Sequence, residues 1–295
     1  MKYPLNKLLT SRERLIEQFA SGQGAQSFSQ EHAALMDQYF RDTLQESQVG
    51  TKLQQRHIPF SLIALGGYGR RELCLHSDID VLLVFKKTIP AQAKELVEEF
   101  LFPLWDLGLE LGHATRSPNE CLILAKDNFE VLTALMDAHF IGGDYTLFLD
   151  LVGKLHTKVL PKKARFLNMW LVEQNKLRLE EFGDSTYLLE PNLKEGIGGL
   201  RDYHHMLWLA SAFVGLREPR DLVFLANLSN KEYQELQQQV AFLLEVRNHL
   251  HHISGRRNDR LIFEYQEKIA GRVGLQDQKQ LRAVEQFNSK LHTTM

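Results

Sequence analysis

Two short apolar runs set in an otherwise helical chain decide what this sequence can fold into. Residues 61–65, Ser-Leu-Ile-Ala-Leu, stop at Gly66-Gly67. Residues 78–85, Asp-Ile-Asp-Val-Leu-Leu-Val-Phe, follow after a short connection. Both runs are too short for buried helices, and the second is rich in branched side chains, so both are expected to be buried strands. The first ends at a tight glycine turn. Residues 109–115 form an expected third strand, after a helix over 91–107 whose Leu96, Phe100, Leu101 and Leu104 share one face.

Around these strands the apolar period is helical. Residues 1–57 read as an N-terminal helical segment broken near Ser21-Gly22-Gln23-Gly24. A helix is expected over 127–140, ended by Gly142-Gly143-Asp144. Further helices are expected over 155–182, 200–214, 231–254 and 261–273. The expected architecture is α+β: a helical segment over 1–57, a small mixed-sheet domain over 58–150, and a helical domain over 151–295.

The stretch with chemistry in it is Gly66-Gly67-Tyr68-Gly69-Arg70, followed by Ser77-Asp78-Ile79-Asp80. Alternate residues of a strand share a face, so Asp78 and Asp80 point the same way. Two carboxylates side by side repel and are costly to bury. Divalent cations remove that penalty, and oxygen ligands suit Mg²⁺. Two such ions activate an attacking oxygen and stabilise a leaving one in phosphoryl or nucleotidyl transfer. Gly66 and Gly67 let the backbone come close to a triphosphate, and Arg70 is placed to add a charged contact. Either motif alone is usually a turn or a solvated face. Their order along the chain points to a metal-dependent nucleotidyltransferase, with Asp78 and Asp80 as metal ligands. Glu72 is expected to make an internal ion pair.

At these residues the sequence resembles the DNA polymerase β-type nucleotidyltransferase superfamily. Within it, three more stretches resemble the bacterial protein-PII uridylyltransferase family. They are Trp105-Asp106-Leu107-Gly108-Leu109-Glu110-Leu111-Gly112-His113; Glu190-Pro191-Asn192-Leu193-Lys194-Glu195-Gly196 with Gly198-Gly199-Leu200-Arg201-Asp202; and Gly255-Arg256-Arg257-Asn258-Asp259-Arg260-Leu261 with Gln266. The resemblance implies transfer of UMP from UTP to a tyrosine of the nitrogen-signalling protein PII, with release of pyrophosphate. It places Ser77 with Gly66, Gly67 and Arg70 among the nucleotide-binding residues, and adds Lys194 and Arg201 as contacts to the triphosphate or base. The residues alone also allow a glycine loop and helix cap at 190–202, with no ligand. The superfamily places a third carboxylate on a strand beside the Asp-x-Asp strand. Glu110 is the candidate, with Asp127 and Asp137 as alternatives.

Full-length family members continue into a hydrolase domain that removes the UMP and two ACT domains that sense glutamine. No His-Asp dipeptide occurs here, so the expectation is modification of PII without reversal or direct glutamine control. His139 stands where family members usually carry Arg. Arg247 lies on an apolar stripe with Leu236, Val240, Leu243 and Leu250, so it either snorkels or pairs with a carboxylate such as Asp202.

Composition narrows the alternatives. A formal net charge of −2 gives no long-range attraction to nucleic acid or anionic membrane. No run is apolar enough to span a bilayer. Two cysteines, Cys74 and Cys121, in no metal-binding pattern, fit reduced thiols in a cytoplasmic protein. The remaining alternatives are a superfamily member acting on another protein or a small molecule, and a nucleotide-binding module without turnover. UTP is expected over ATP.

Overall fold

The computed structural model describes residues 2–183 and 189–295. They divide into two units: residues 1–16 with 29–162, and residues 17–28 with 163–295.

The first unit is built on a four-stranded mixed sheet in the order β3-β2-β1-β4. Strand β1 (Phe60–Ala64) pairs antiparallel with both β2 (Ile79–Phe85) and β4 (His139–Gly143), while β2 runs parallel to β3 (Leu111–Arg116). Helices α1 (Lys2–Ala20), α2 (Phe28–Glu46) and α3 (Gln48–Gln55) precede the sheet. A four-residue helix α4 (Gly66–Gly69) carries the glycine turn. Helix α5 (Ala93–Trp105) links β2 to β3, and α6 (Pro118–Asp127) and α7 (Phe129–Met136) link β3 to β4.

The alternation of the strands explains both layers. Phe60, Leu62, Ala64, Ile79, Val81, Leu83 and Phe85 share one face. That face joins Leu8, Met36, Phe40, Leu53, Phe100 and Leu104 in one core cluster. The N-terminal helices therefore do not stand apart as a segment of their own, because their apolar stripes have the sheet to cover. The other face carries Ile63, Leu82 and Val84, also buried, and, near the start of β2, Asp80.

Strand β4 departs from the sequence expectation, which put a helix over 127–140. The helix stops at Met136, and His139-Phe140-Ile141-Gly142-Gly143 pairs with β1 across a register shift at Leu62/Ile63. Its two glycines look like a chain break in sequence. Strand β3 starts at Leu111 rather than 109.

Helix α8 (Tyr145–Lys154) and a π-helical turn (Leu155–Val159) close the first unit and lead into α9 (Leu160–Phe182), which runs on into the second. Helices α10 (Leu200–Val214), α11 (Leu222–Leu225), α12 (Asn230–Ser254), α13 (Phe263–Arg272) and α14 (Ala283–Thr294) follow. Helix α12 is the spine: from Phe242 to His251 every residue is buried, and it packs on α10, α13 and α14. Its buried face includes Arg247, Asn248, His249 and His251, which a helix hydrophobic on one stripe alone would not tolerate without partners. Among the described residues no helix is long and apolar enough to cross a membrane.

Three buried histidines make the fold sensitive to acid. His32 receives a hydrogen bond from Arg12 at Nε2 and lies 3.1 Å from the Leu73 carbonyl at Nδ1. Burial, with the Arg12 charge second, pushes its pKa down to about 3. Burial likewise holds His205 and His249 down to about 4; His249 stacks on Phe19 at 4.3 Å. These groups are neutral when folded and protonate below about 6.5 when unfolded, so the unfolded chain binds more protons below that pH. Their stabilisation is complete above pH 6.5 and is lost as pH falls toward 3–4. Denaturant titrations at pH 7.5 and pH 5 should differ by roughly 1–2 kcal/mol for each such histidine. Equal midpoints would show that these rings are solvated.

Candidate active site

The site at the head of β2 is assembled from three segments of the first unit. Strand β1 ends at Ala64, and the chain turns through Gly66, whose φ is +55°. In that left-handed region glycine alone is free of strain. Gly69 is fixed by space instead: a Cβ there would overlap the carbonyl oxygens of Asp137 and Ala64. The connection to β2 is held from the helices. Arg12 donates to the Leu75 carbonyl at 3.1 Å, and His32 contacts the Leu73 carbonyl. Ser77 donates its N–H to the Cys74 carbonyl at 3.0 Å, which leads the chain into Asp78.

Asp80 is the second residue of β2, and the Leu65 N–H bonds to its carbonyl at 2.9 Å. In the parallel ladder Asp80 is paired with Gly112. The Asp80 carboxylate occupies the room a side chain at Gly112 would need, and its other oxygen lies 3.6 Å from the position of a Cβ at Gly66. Two glycines, one from the turn and one from β3, thus form a cradle around this carboxylate. Asp78 lies just ahead of β2, two residues before Asp80. Glu110 lies just ahead of β3, is exposed, and takes the Ile79 N–H on its carbonyl at 2.9 Å. Among the described residues no group of three His, Cys, Asp or Glu side chains is arranged as a metal site.

Arg70 lies with carboxylates. Nε is 2.9 Å from Glu72, Nη1 is bonded to Asp137, and the side chain is 12% exposed. Burial alone would lower its pKa, but Asp137 and Glu72 outweigh burial and raise it. Glu72 therefore makes the internal ion pair expected of it, and Asp137 is engaged by Arg70. Nη2 of Arg70 lies 3.9 Å from the position of a Gly67 Cβ, so the guanidinium borders the glycine turn. Asp127 ends α6, exposed.

The loop before α10 gives a different account of its glycines. Asn192 opens it, accepting the N–H groups of Lys194 and Glu195 at 3.0 and 2.8 Å. A Cβ at Gly199 would press on the carbonyls of Gly196, Leu193 and Lys194. The first N–H groups of α10 are taken by this loop: Leu200 by Leu193, Arg201 by Lys194, and Asp202 by Gly199, at 2.9–3.0 Å. The donors of this helix start are already used. What remains is charge. Arg201 is held in a two-pronged pair by Glu195, at 3.1 and 2.7 Å. Arg178 bonds Asp202, whose other oxygen accepts the Gly198 N–H at 2.7 Å. Among the described residues Lys194 makes a loose pair with Glu195, at 3.8 Å. Burial, then the charges of Arg247 and Arg201, push its pKa down to about 8.

Arg247 pairs with a carboxylate, but with Asp259 rather than Asp202, at 2.6 Å from Nε. The Asp259 carbonyl in turn accepts the Leu193 N–H, and the Pro191 carbonyl accepts the Leu261 N–H. This pair therefore ties the 191–199 loop to the segment after α12. Asp259 and Asp37, described below, were not singled out from sequence. Asp37 carried the same signal as Arg247, a charge on an apolar helical stripe with Ala33, Met36 and Phe40.

Residues 10–113, which contain the glycine turn, Asp78, Asp80 and Glu110, match the model of a nucleotidyltransferase family, DUF294. Residues 169–295, with Lys194, Arg201, Arg247 and Asp259, match the model of GlnD PII-uridylyltransferase. A bifunctional uridylyltransferase/uridylyl-removing enzyme of Rhodospirillum rubrum is 36% identical over 280 residues, which cover 94% of this chain and 30% of the relative. Over most of its length the chain is similar to the PII-uridylyltransferase family. Relatives of the same description from Methylococcus capsulatus and Novosphingobium aromaticivorans are 33% and 37% identical over 92% and 77% of the chain. The chain spans 30% of the length of the first two relatives and 25% of the third. The uridylyltransferase match and the nucleotidyltransferase match fall on different parts of the chain, so the site at β2 and the 190–202 loop are each covered by one.

Proposed function

We propose that this chain transfers UMP from UTP to a tyrosine hydroxyl of the PII protein. The observation that carries the reading is the cradle of Asp80 between Gly66 and Gly112, beside Asp78, in a chain similar to that family. A side chain at Gly112 would take the place of the carboxylate, while a Cβ at Gly66 would only touch it at 3.6 Å. Asp78 and Asp80 are the residues that would hold Mg²⁺, which when bound supplies charge neutralisation for the phosphates and the attacking oxygen.

The tyrosine oxygen attacks the α-phosphorus, the bond from that phosphorus to the bridging oxygen breaks, and pyrophosphate leaves with the bonding pair. A tyrosine has a pKa of about 10, so a base near its hydroxyl helps at neutral pH. Glu110, just ahead of β3, is proposed to take that proton. Gly66 and Gly67 let the backbone come up to the phosphates, with Ser77 beside the acid pair and the Arg70 guanidinium bordering the turn. In the second unit, Lys194 is the stronger of the two proposed nucleotide contacts. Its neighbours Arg201 and Arg247 repel it, so an arriving anion relieves that repulsion, whereas Arg201 already has Glu195. A reducing, cytoplasmic setting fits the two thiols, which form no disulfide.

The test uses UTP labelled separately at the α- and γ-phosphorus, incubated with Mg²⁺ and purified PII. Label from the α position should appear on PII, and γ label should appear in pyrophosphate, with ATP a poor substitute. Gamma label on PII would replace the reading with a kinase. Equal use of ATP and UTP would favour a superfamily member with another specificity.

A further inference from the structure

Gly66-Gly67-Tyr68-Gly69 presents one difficulty for any phosphate-binding role. Three of its four residues have no side chain by which the rest of the unit can orient the turn. Tyr68 is the exception, and it is fully buried. Its hydroxyl donates to Oδ1 of Asp37 at 2.8 Å. Burial, then the Asp37 charge, raise the Tyr68 pKa well above its ordinary value, so the phenol stays a donor.

Asp37 is itself 1% exposed, on the face of α2 that packs against the sheet. A carboxylate at such a position is costly unless it is paired on every side. Its second oxygen, Oδ2, takes Nη2 of Arg41 at 3.0 Å and lies 3.0 Å from Nε2 of His139. Arg71, with a left-handed φ of +63°, places Nη2 3.9 Å from the same oxygen. The partners come from different elements. Tyr68 is in the turn, Arg71 follows it, and His139 opens β4 opposite Ala64, the last residue of β1. Arg41 also donates to the Ile141 carbonyl of β4 at 3.0 Å. One oxygen of Asp37 thus serves the turn alone, and the other fixes the carboxylate to α2 and β4. This arrangement also gives His139 a role: it meets the same carboxylate that anchors the turn.

We propose that Asp37 is the positioning residue of the glycine turn, holding Gly66–Gly69 in place for the nucleotide phosphates through the Tyr68 hydroxyl. The nucleotide half of this statement rests on the function proposed above; the anchoring of the turn does not. Losing one hydrogen bond to a charged acceptor corresponds to about tenfold in the equilibrium it supports.

The experiment compares wild type, Tyr68→Phe, Asp37→Ala and the double variant by amide hydrogen exchange without nucleotide, and by UTP affinity with Mg²⁺. Tyr68→Phe should keep its circular dichroism spectrum. Exchange at Gly69, Arg70 and Glu72 should speed up about tenfold while the amides of β2 stay unchanged. UTP affinity should fall about tenfold with the acceptor KM unchanged. Asp37→Ala should add little at the turn once Tyr68 is Phe. If Asp37→Ala does not fold, Tyr68→Phe decides alone. Unchanged exchange over 66–72 in folded Tyr68→Phe overturns the proposal. Faster exchange in a chain whose wild type binds no UTP leaves the anchoring standing and overturns the functional reading.

Discussion

Asp80→Asn is expected to lower uridylyl transfer about 10²–10³-fold, and Asp78→Asn to do the same, with the fold intact. Each substitution keeps the shape of the side chain and removes the negative charge that a divalent ion requires. Losing preorganised charge stabilisation at a reacting phosphate typically costs about 3–4 kcal/mol of the barrier, which is this range. Stability should hold or rise slightly, because two carboxylates this close along the chain repel without a cation. The measurement is kcat/KM at saturating Mg²⁺, alongside thermal unfolding in EDTA. Turnover within a few-fold of wild type in either variant would remove the acid pair from the mechanism.

Gly112→Ala should be nearly as damaging to transfer, without touching any charge. The Cβ would take the space of the Asp80 carboxylate. The atom displaced is the end of a side chain rather than backbone, so the strand survives and Asp80 moves. A misplacement of about 1 Å at a catalytic group can cost about 10²-fold, and a loss between about tenfold and 10²-fold is expected. Gly112 needs no left-handed backbone angle, so its melting temperature should stay within a few degrees. The neighbouring Ala114→Gly, on the same face, should be close to neutral for transfer. A Gly112→Ala chain that is fully active would mean that the Asp80 carboxylate has another place to work from.

How much of this could be read in the sequence depends on how local each signal is. The two inner strands and the glycine turn were legible because the apolar period changes sharply at residue 60 and again at Gly66. The common face expected of Asp78 and Asp80 rested on strand alternation, and the strand begins between them, at Ile79. Strand β4 was not legible: His139-Phe140-Ile141-Gly142-Gly143 is short, its last two residues lack side chains, and the helical period of α7 runs straight into it. The cradle at Gly112 depended on register, and a parallel pairing across helix α5 is not encoded by any turn. The loop at 190–202 was recognisable as a pattern, but its glycines answer to carbonyl crowding and its helix start is capped from within. Arg247 stood out as a charge on an apolar stripe that either snorkels or pairs with a carboxylate such as Asp202; it pairs, and the partner is Asp259, twelve residues along. Asp37 was missed for the same reason that Arg247 was found: each is a charge on an apolar stripe, and only Arg247 was weighed.

The central claim is that the acid pair of this chain moves a uridylyl group onto a PII tyrosine. Intact-mass and peptide-level mass spectrometry of PII, after incubation with UTP, Mg²⁺ and either wild type or Asp80→Asn, tests it most directly. The account predicts a gain of one uridylyl group at a single tyrosine with wild type and almost none with Asp80→Asn. An unmodified PII with the folded wild-type chain, or equal modification by both chains, would contradict it.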